Sequence, residues 1–222
     1  MNLTPVVIPH FIKLLFPNLV WDIPNNDKVV YLTFDDGPTP EITEWTLKTL
    51  EQYKAKATFF CIGKNVESHP DIFSKITTAG HSVGNHTYNH LKGWTTRTKN
   101  YLLDIKQTQA AFNKQFINDN PQTSNPKFVN LFRPPYGQIR PKQVRQLSEI
   151  GYKIIMWNVL SIDWDPSVSK ETCSNNVINN AVSGDIIVFH DSVKASKNMQ
   201  YALPRVLEYF SNKGFEFKRI PE

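Results

Sequence analysis

Short apolar runs rich in β-branched and aromatic residues alternate with longer helix-patterned stretches from about Lys28 to the end of the chain. Strands that alternate with helices build parallel sheets, because a helix makes each return crossing. The strand candidates are 29–34, 57–63, 82–86, 128–133, 152–160, 185–190 and 215–220, and helix candidates begin near Glu41, Pro70, Lys99, Pro141, Lys170 and Met199. The pattern predicts an α/β domain with a largely parallel sheet, and the stretch 116–128, rich in Asn, Pro and Ser, is predicted to be a surface loop.

The chain has 222 residues, of which 40% are hydrophobic, and this is enough for one well-covered core. We therefore expect one domain over residues 27–222 and a monomer. Residues 1–26 are expected to be an N-terminal extension that packs on this domain. The extension is interrupted by prolines and lacks both the features of a signal peptide and the ~20 uninterrupted apolar residues of a membrane-spanning helix. Weak contact with a membrane surface is an alternative, and the compartment stays open between the cytoplasm and a mature form whose leader is missing.

Charge gives little indication of a macromolecular partner. The 25 basic and 20 acidic residues produce a net charge of +5 and are spread along the chain. Because they form no basic block, we predict no nucleic-acid partner. Two cysteines are too few for a fold held together by disulfides.

Titratable side chains stand at or just after the ends of the strand candidates. They are Asp35, Asp36, His86, His90, Arg133, Asp163 and His190. In a closed parallel α/β barrel, the carboxyl ends of the strands form one rim, and active sites are built there. The sequence therefore predicts that separate segments deliver these groups to one site.

A carboxylate and two histidines form a candidate metal site. Asp35 and Asp36 follow a strand in TFDDGP, and buried ionised carboxylates need a cation, although Asp-Gly-Pro is also ordinary turn chemistry. In NHTYNH, His86 and His90 are four residues apart, so on a helical turn they would share one face and chelate one ion. A lone pair with this spacing is commonly incidental, and the prediction depends on Asp36 joining it. Such ligands favour Zn²⁺, with Co²⁺ or Ni²⁺ as alternatives.

Two further motifs offer groups for acid–base chemistry. Arg133 in RPPYG can pair with a carboxylate that must stay ionised, and the stiff Pro-Pro turn fixes the backbone N–H of Tyr136, which can stabilise an oxyanion. A surface turn with an ion-paired arginine is the alternative. His190 ends a strand too apolar for the surface, and contact with Asp163 would favour its protonated form, a general acid. A satisfied core histidine is the alternative there.

The ordered motifs TFDDGP, HTYNH, RPPYG, IDW and VFH resemble those of the polysaccharide deacetylase family, carbohydrate esterase family 4, which shares the NodB homology domain. The likeness runs from about Val29 to the carboxyl end. It implies a distorted (β/α) barrel with fewer than eight repeats and an active site at the carboxyl ends of the strands. It also implies a metal-dependent hydrolase that removes acetyl groups from N-acetylated glycans of the chitooligosaccharide or peptidoglycan type.

The resemblance assigns a role to each site residue. It implies one divalent metal ion held by Asp36, His86 and His90, with Asp35 as general base and His190 as general acid. It further implies that Arg133 orients Asp35, that Asp163 tunes His190, that the Tyr136 N–H holds the oxyanion, and that Pro135, Trp164 and Val188 contact the substrate. Two positions depart from the family, Leu160 in place of a common aspartate and Val188 in place of a leucine, and we expect them to alter the shape of the pocket.

Other functions are alternatives to N-deacetylation of a glycan. The same site could hydrolyse O-acetyl esters of acetylxylan-like glycans or a non-sugar amide, because metal activation does not specify the acyl donor. An inactive glycan-binding module is a third reading. A glycosidase that uses Asp35 and Asp36 fits poorly, because adjacent carboxylates on a strand point to opposite faces and the histidines would go unexplained.

Overall fold

The computed structural model describes residues 4–119 and 129–221, which form an α/β fold. The strands are β1 (Val29–Asp35), β2 (Thr58–Cys61), β3 (Ser82–Asn85), β4 (Leu131–Phe132), β5 (Lys153–Ile154), β6 (Val159–Leu160), β7 (Ile186–His190) and β8 (Glu216–Phe217). The helices are α1 (His10–Leu15), α2 (Ile42–Gln52), α3 (Gly63–Ser68), α4 (Pro70–Thr78), α5 (Thr98–Asp119), α6 (Pro141–Glu149), α7 (Lys170–Ile178) and α8 (Ser196–Asn212), with a 3₁₀ turn at Pro135–Gly137. In these described parts, no helix is both long enough and apolar enough to cross a membrane.

Seven strands form one curled sheet in the order β5-β4-β3-β2-β1-β7-β6, and all of their pairings are parallel. β8 adds a parallel pairing to the first residues of β1. The curled parallel sheet with its helices is a distorted barrel with fewer than eight repeats, so the predicted fold is confirmed.

The core lies on the central strand β1, where every residue is buried. A strand covered on both faces reads as a continuous apolar run, which explains the sequence VVYLTF. Phe34 stacks on Phe59 of β2, with ring centroids 5.0 Å apart, and on Phe189 of β7, at 6.1 Å. The three rings hold the carboxyl ends of three neighbouring strands in fixed positions. Those are the ends that carry Asp35 and His190.

The N-terminal residues pair with the two outer strands of the curled sheet. The Val20 N–H donates to Ile154 O at 2.9 Å beside β5, and the Met156 N–H donates to Val20 O at 2.7 Å. Val7 forms an antiparallel bridge with Val159 of β6. The chain before β1 therefore satisfies backbone groups that the outer strands would otherwise leave unpaired.

Three local predictions are wrong. The expected strand 152–160 is two short strands, because the carbonyl groups of Ile155 and Met156 turn towards the guanidinium of Arg133 between them. His86 and His90 do not lie on a helical turn but on a loop in which Thr87 and His90 have positive φ angles of 62° and 54°. The predicted loop 116–128 begins too early, since α5 extends to residue 119, and its remainder lies outside the described residues.

We predict that Phe34→Ala lowers the free energy of unfolding by about 3–5 kcal/mol, because it opens a cavity between two stacked rings. Phe11→Ala is the matched control, since Phe11 is 62% exposed, and it should change stability by less than about 0.5 kcal/mol. Urea denaturation followed by far-ultraviolet circular dichroism measures both values. Equal destabilisation by the two substitutions would contradict this description of the core.

Candidate active site

Arg133, the first residue after β4, is fully buried and makes its contacts inside the curled sheet. Its Nη1 donates to Asp35 Oδ1 at 2.7 Å and to Thr33 Oγ1 at 2.6 Å. Its Nη2 and Nε donate to the carbonyl oxygens of Met156 and Ile155 at 2.8 and 3.3 Å. A buried guanidinium needs a counter-charge and acceptors for its N–H groups. Arg133 has both, and the contact fixes the orientation of the Asp35 carboxylate.

Asp36, His86 and His90 bring three ligand atoms to one point. One carboxylate oxygen and one ring nitrogen of each histidine lie within 4.8 Å of one another. The Nε2 atoms of His86 and His90 are 3.7 and 3.2 Å from Asp36 Oδ1. Asp36 Oδ1 is buried and accepts no hydrogen bond within the part of the chain that the structure describes. A buried carboxylate oxygen without a donor fits a site that binds a cation.

The outer nitrogens of the two histidines have partners that set their protonation. His86 Nδ1 is 2.8 Å from Arg133 O, a carbonyl that can only accept, so Nδ1 carries the proton and the Nε2 lone pair faces Asp36. Burial lowers the pKa of His86 to about 4, which keeps the ring neutral. His90 Nδ1 is 3.1 Å from the hydroxyl oxygen of Tyr136. Such outer contacts are typical of metal-ligating histidines.

A buried carboxylate, Asp191, holds the turn that carries Asp36. Asp36 has a positive φ of 80°, and the Gly37 N–H that follows donates to Asp191 Oδ1 at 3.1 Å. The Thr43 hydroxyl donates to Asp191 Oδ2 at 2.5 Å. A Cβ on Gly37 would stand 2.1 Å from Asp191 Oδ2, so glycine is required for this close approach. Burial raises the pKa of Asp191 to about 7.

His190 and Asp163 form a second ion pair at the end of β7. His190 Nδ1 lies 2.8 Å from Asp163 Oδ1, and the His190 backbone N–H donates to Asp163 Oδ2 at 2.8 Å. Burial of His190 lowers its pKa, but the Asp163 charge and hydrogen bond raise it by more, to about 9. His190 is therefore protonated at neutral pH, and its Nε2 is left to donate a proton.

One cavity of about 450 Å³ contains most of the predicted site. Of the predicted residues, it is lined by Asp35, Asp36, His86, His90, Tyr136, Trp164, Val188 and His190. Arg133 and Asp163 do not line it but lie behind Asp35 and His190, with exposures of 0% and 1%. Pro134, rather than the predicted Pro135, faces the cavity. Trp157, Leu160, Ser192, Lys194 and Thr4 complete the lining.

Sequence reasoning missed the support given by Asp191 and by the Tyr136 hydroxyl. Asp191 follows His190 in VFHD, but a carboxylate after a strand gives no indication that it turns back to a glycine far away in the chain. The RPPYG motif indicates a role only for the backbone N–H of Tyr136. Its φ of 59°, in the 3₁₀ turn, directs the ring onto His90, and that conformation is not readable from RPPYG.

A family model described as polysaccharide deacetylase matches residues 22–155. The chain belongs to this family. A peptidoglycan-N-acetylglucosamine deacetylase of Bacillus cereus is 35% identical over 207 residues, which cover 92% of both chains. A chitooligosaccharide deacetylase of Azorhizobium caulinodans is 31% identical over 170 residues, 76% of each chain. These matches confirm the prediction of a polysaccharide deacetylase, a hydrolase of carbon–nitrogen bonds.

Solved structures give the same relationship. A peptidoglycan N-acetylglucosamine deacetylase in complex with 4-naphthalen-1-yl-N-oxidanyl-benzamide superposes with a TM-score of 0.84 at 31% identity, over 96% of each chain. This deacetylase family is metal-dependent in general. The triad of Asp36, His86 and His90 is a possible metal-binding site of that kind.

We predict that Tyr136→Phe weakens binding of a divalent metal about tenfold, because His90 loses the contact that orients its ring. Tyr209→Phe is the matched control, since the Tyr209 hydroxyl contacts only Lys213 among the hydrogen bonds described for it. Competition with a fluorescent zinc chelator measures both dissociation constants. If Tyr136→Phe binds Zn²⁺ as tightly as Tyr209→Phe does, the hydroxyl has no part in holding His90.

Proposed function

We propose that the chain is a metal-dependent deacetylase that removes N-acetyl groups from a glycan of the peptidoglycan or chitooligosaccharide type. The observation that carries the proposal is one cavity lined by a candidate base, a protonated candidate acid and a metal-binding triad. The names of the two relatives support the substrate class, since one acts on peptidoglycan and the other on chitooligosaccharides.

Asp36, His86 and His90 would hold the ion, and three protein ligands leave positions for water and substrate. Two imidazoles and a carboxylate favour Zn²⁺, with Co²⁺ or Ni²⁺ as alternatives. When bound, a divalent metal acidifies water and polarises the acyl carbonyl. The donor set fits such an ion, because both histidines direct Nε2 towards the unpaired Asp36 oxygen.

Asp35 acts as the general base in this proposal. Arg133 Nη1 donates to Asp35 Oδ1 and to Thr33 Oγ1, and these contacts fix the Asp35 carboxylate. Oδ2 is therefore directed away from the ion pair with Arg133. Asp35 takes the proton of the attacking water as the water adds to the acetyl carbonyl. The backbone N–H of Tyr136, in the rigid turn after Pro134 and Pro135, donates to the oxyanion that develops.

His190 acts as the general acid. Its proton passes to the sugar nitrogen as the carbon–nitrogen bond breaks, which releases acetate and a free amine. Asp163 keeps the ring charged and fixes Nδ1, so Nε2 is the donor. Trp164 packs its ring edge-on at 4.9 Å from His190, and with Leu160 and Val188 it forms an apolar wall that suits the acetyl methyl.

Hydrolysis of O-acetyl esters or of a non-sugar amide is the second candidate, because the catalytic groups treat any acetyl carbonyl alike. Acetate release from chitooligosaccharides, peptidoglycan fragments, acetylxylan and small cyclic amides separates these reactions. A binding module without activity is a third candidate. Tight glycan binding without turnover in protein loaded with metal would favour it.

We predict that Asp35→Asn abolishes acetate release but keeps metal binding, whereas His86→Ala loses both, because only His86 supplies a ligand atom. Metal content by mass spectrometry and acetate release from chitooligosaccharides and peptidoglycan fragments test the pair. Asp35→Asn removes the counter-charge of a buried arginine, so its melting temperature is measured with and without metal. Full activity of folded Asp35→Asn would refute its role as base.

The pH dependence tests the acid. His190 must be protonated to act, so kcat falls as pH rises above neutral through the pKa of His190, which the charge and hydrogen bond of Asp163 raise. In Asp163→Asn this limb moves towards the ordinary histidine pKa of about 6.5. The ion pair of His190 with Asp163 also contributes to the free energy of unfolding. This contribution is complete below about pH 6.5 and is lost as pH rises through about 9. A limb that stays in place in Asp163→Asn would assign it to another group.

A further inference from the structure

The N-terminal segment, residues 4–8, reaches the active-site cavity. The Ile8 N–H donates to Asn158 O at 3.0 Å, and the Leu160 N–H donates to Val6 O at 2.8 Å. With the antiparallel bridge at Val7, the segment runs along β6 as an added edge strand. It precedes residue 22, where the family match begins.

The direction of this pairing carries the segment to the catalytic end of the sheet. β6 runs towards the edge where the carboxyl ends of the strands meet, because it is parallel to β7 and β7 ends at His190. The N-terminal segment is antiparallel to β6, so the chain read backwards from Val7 approaches the same edge. Thr4 accordingly lines the cavity together with Asp35 and His190.

Side chains of the segment alternate between the cavity side and the surface. Thr4 and Val6 are half-buried, whereas Pro5 and Val7 are exposed. Val6 packs on the apolar cluster of Leu160, Ile162 and Val188, and two of these three residues line the cavity. Val6 therefore supports the apolar wall from behind, while Thr4 stands on its rim.

We propose that the N-terminal segment, residues 4–8, forms a second wall of the active-site cavity that selects substrates. In this wall, Thr4 limits the size of the part of the glycan that lies beside the acetylated sugar. The inference rests on the proposed function, since it concerns the substrate of that same site. Thr4 lines the cavity but is not one of the proposed metal ligands, the base or the acid, so we expect its effect to be on which substrates enter. Because Thr4 lines the cavity, a bulkier side chain at this position leaves less room for the glycan.

Two tryptophan substitutions on the same segment test the wall. Thr4→Trp narrows the cleft, and Val7→Trp, which places the same ring on the exposed side, is the matched control. The substrates are 4-nitrophenyl acetate, a small acetyl donor, and whichever soluble glycan the wild type hydrolyses, chitopentaose or a peptidoglycan fragment. Melting temperature and zinc affinity are measured for each variant.

We expect Thr4→Trp to lower kcat/KM for the glycan about tenfold or more, while kcat/KM for the small ester changes less than about twofold. Val7→Trp should leave both values within about twofold of the wild type. The wall is refuted if Thr4→Trp keeps full activity on the glycan, if it loses both substrates equally, or if Val7→Trp has the same effect.

Failure of the proposed function gives a different result. A wild-type protein loaded with zinc that neither releases acetate from these glycans nor binds them in ligand-observed NMR refutes the deacetylase proposal and the wall with it. If the wild type binds the glycan without turnover, the same comparison is made on its dissociation constant, where Thr4→Trp should weaken binding and Val7→Trp should not.

Discussion

A positive charge buried inside the curled sheet is the constraint on which the site depends. Arg133 has no exposed surface, and it stays inside because Asp35 neutralises it and three further oxygens accept its N–H groups. Removing one partner of a buried pair typically costs 3–5 kcal/mol, roughly half of a domain's stability. Arg133 also interrupts the expected strand before β6, because two of its acceptors are the backbone carbonyl groups of Ile155 and Met156. Fold and active site are thus determined by the same contacts.

The carbonyl group of Arg133 extends this coupling to the candidate metal triad of Asp36, His86 and His90. It fixes the ring of His86, while Asp191 fixes the turn of Asp36 from the other side. His86 and the turn of Asp36 are therefore held by residues that follow two different strands, β4 and β7. Rigid positioning of this kind is what metal sites and general bases require.

The sequence was sufficient for the architecture and for the groups at the ends of the strands, because apolar periodicity and strand-end position are local properties. It was not sufficient for the loop geometry. The spacing of His86 and His90 suggested a helical turn, yet positive φ angles in a loop bring the rings together. The supporting role of Asp191 could not be predicted for a similar reason, because its partners Gly37 and Thr43 are distant from it in the sequence. What sequence patterns miss here is backbone conformation that only tertiary contacts impose.

The pairing of the N-terminal residues has a consequence for folding. Val7 and Val20 are made first, but their partners on β5 and β6 are most of the chain away. Closing so long a loop costs entropy that is repaid only after the outer strands exist. These pairings are therefore long-range contacts of the kind that slow folding, as are the pairings of β1 with β7 and β8.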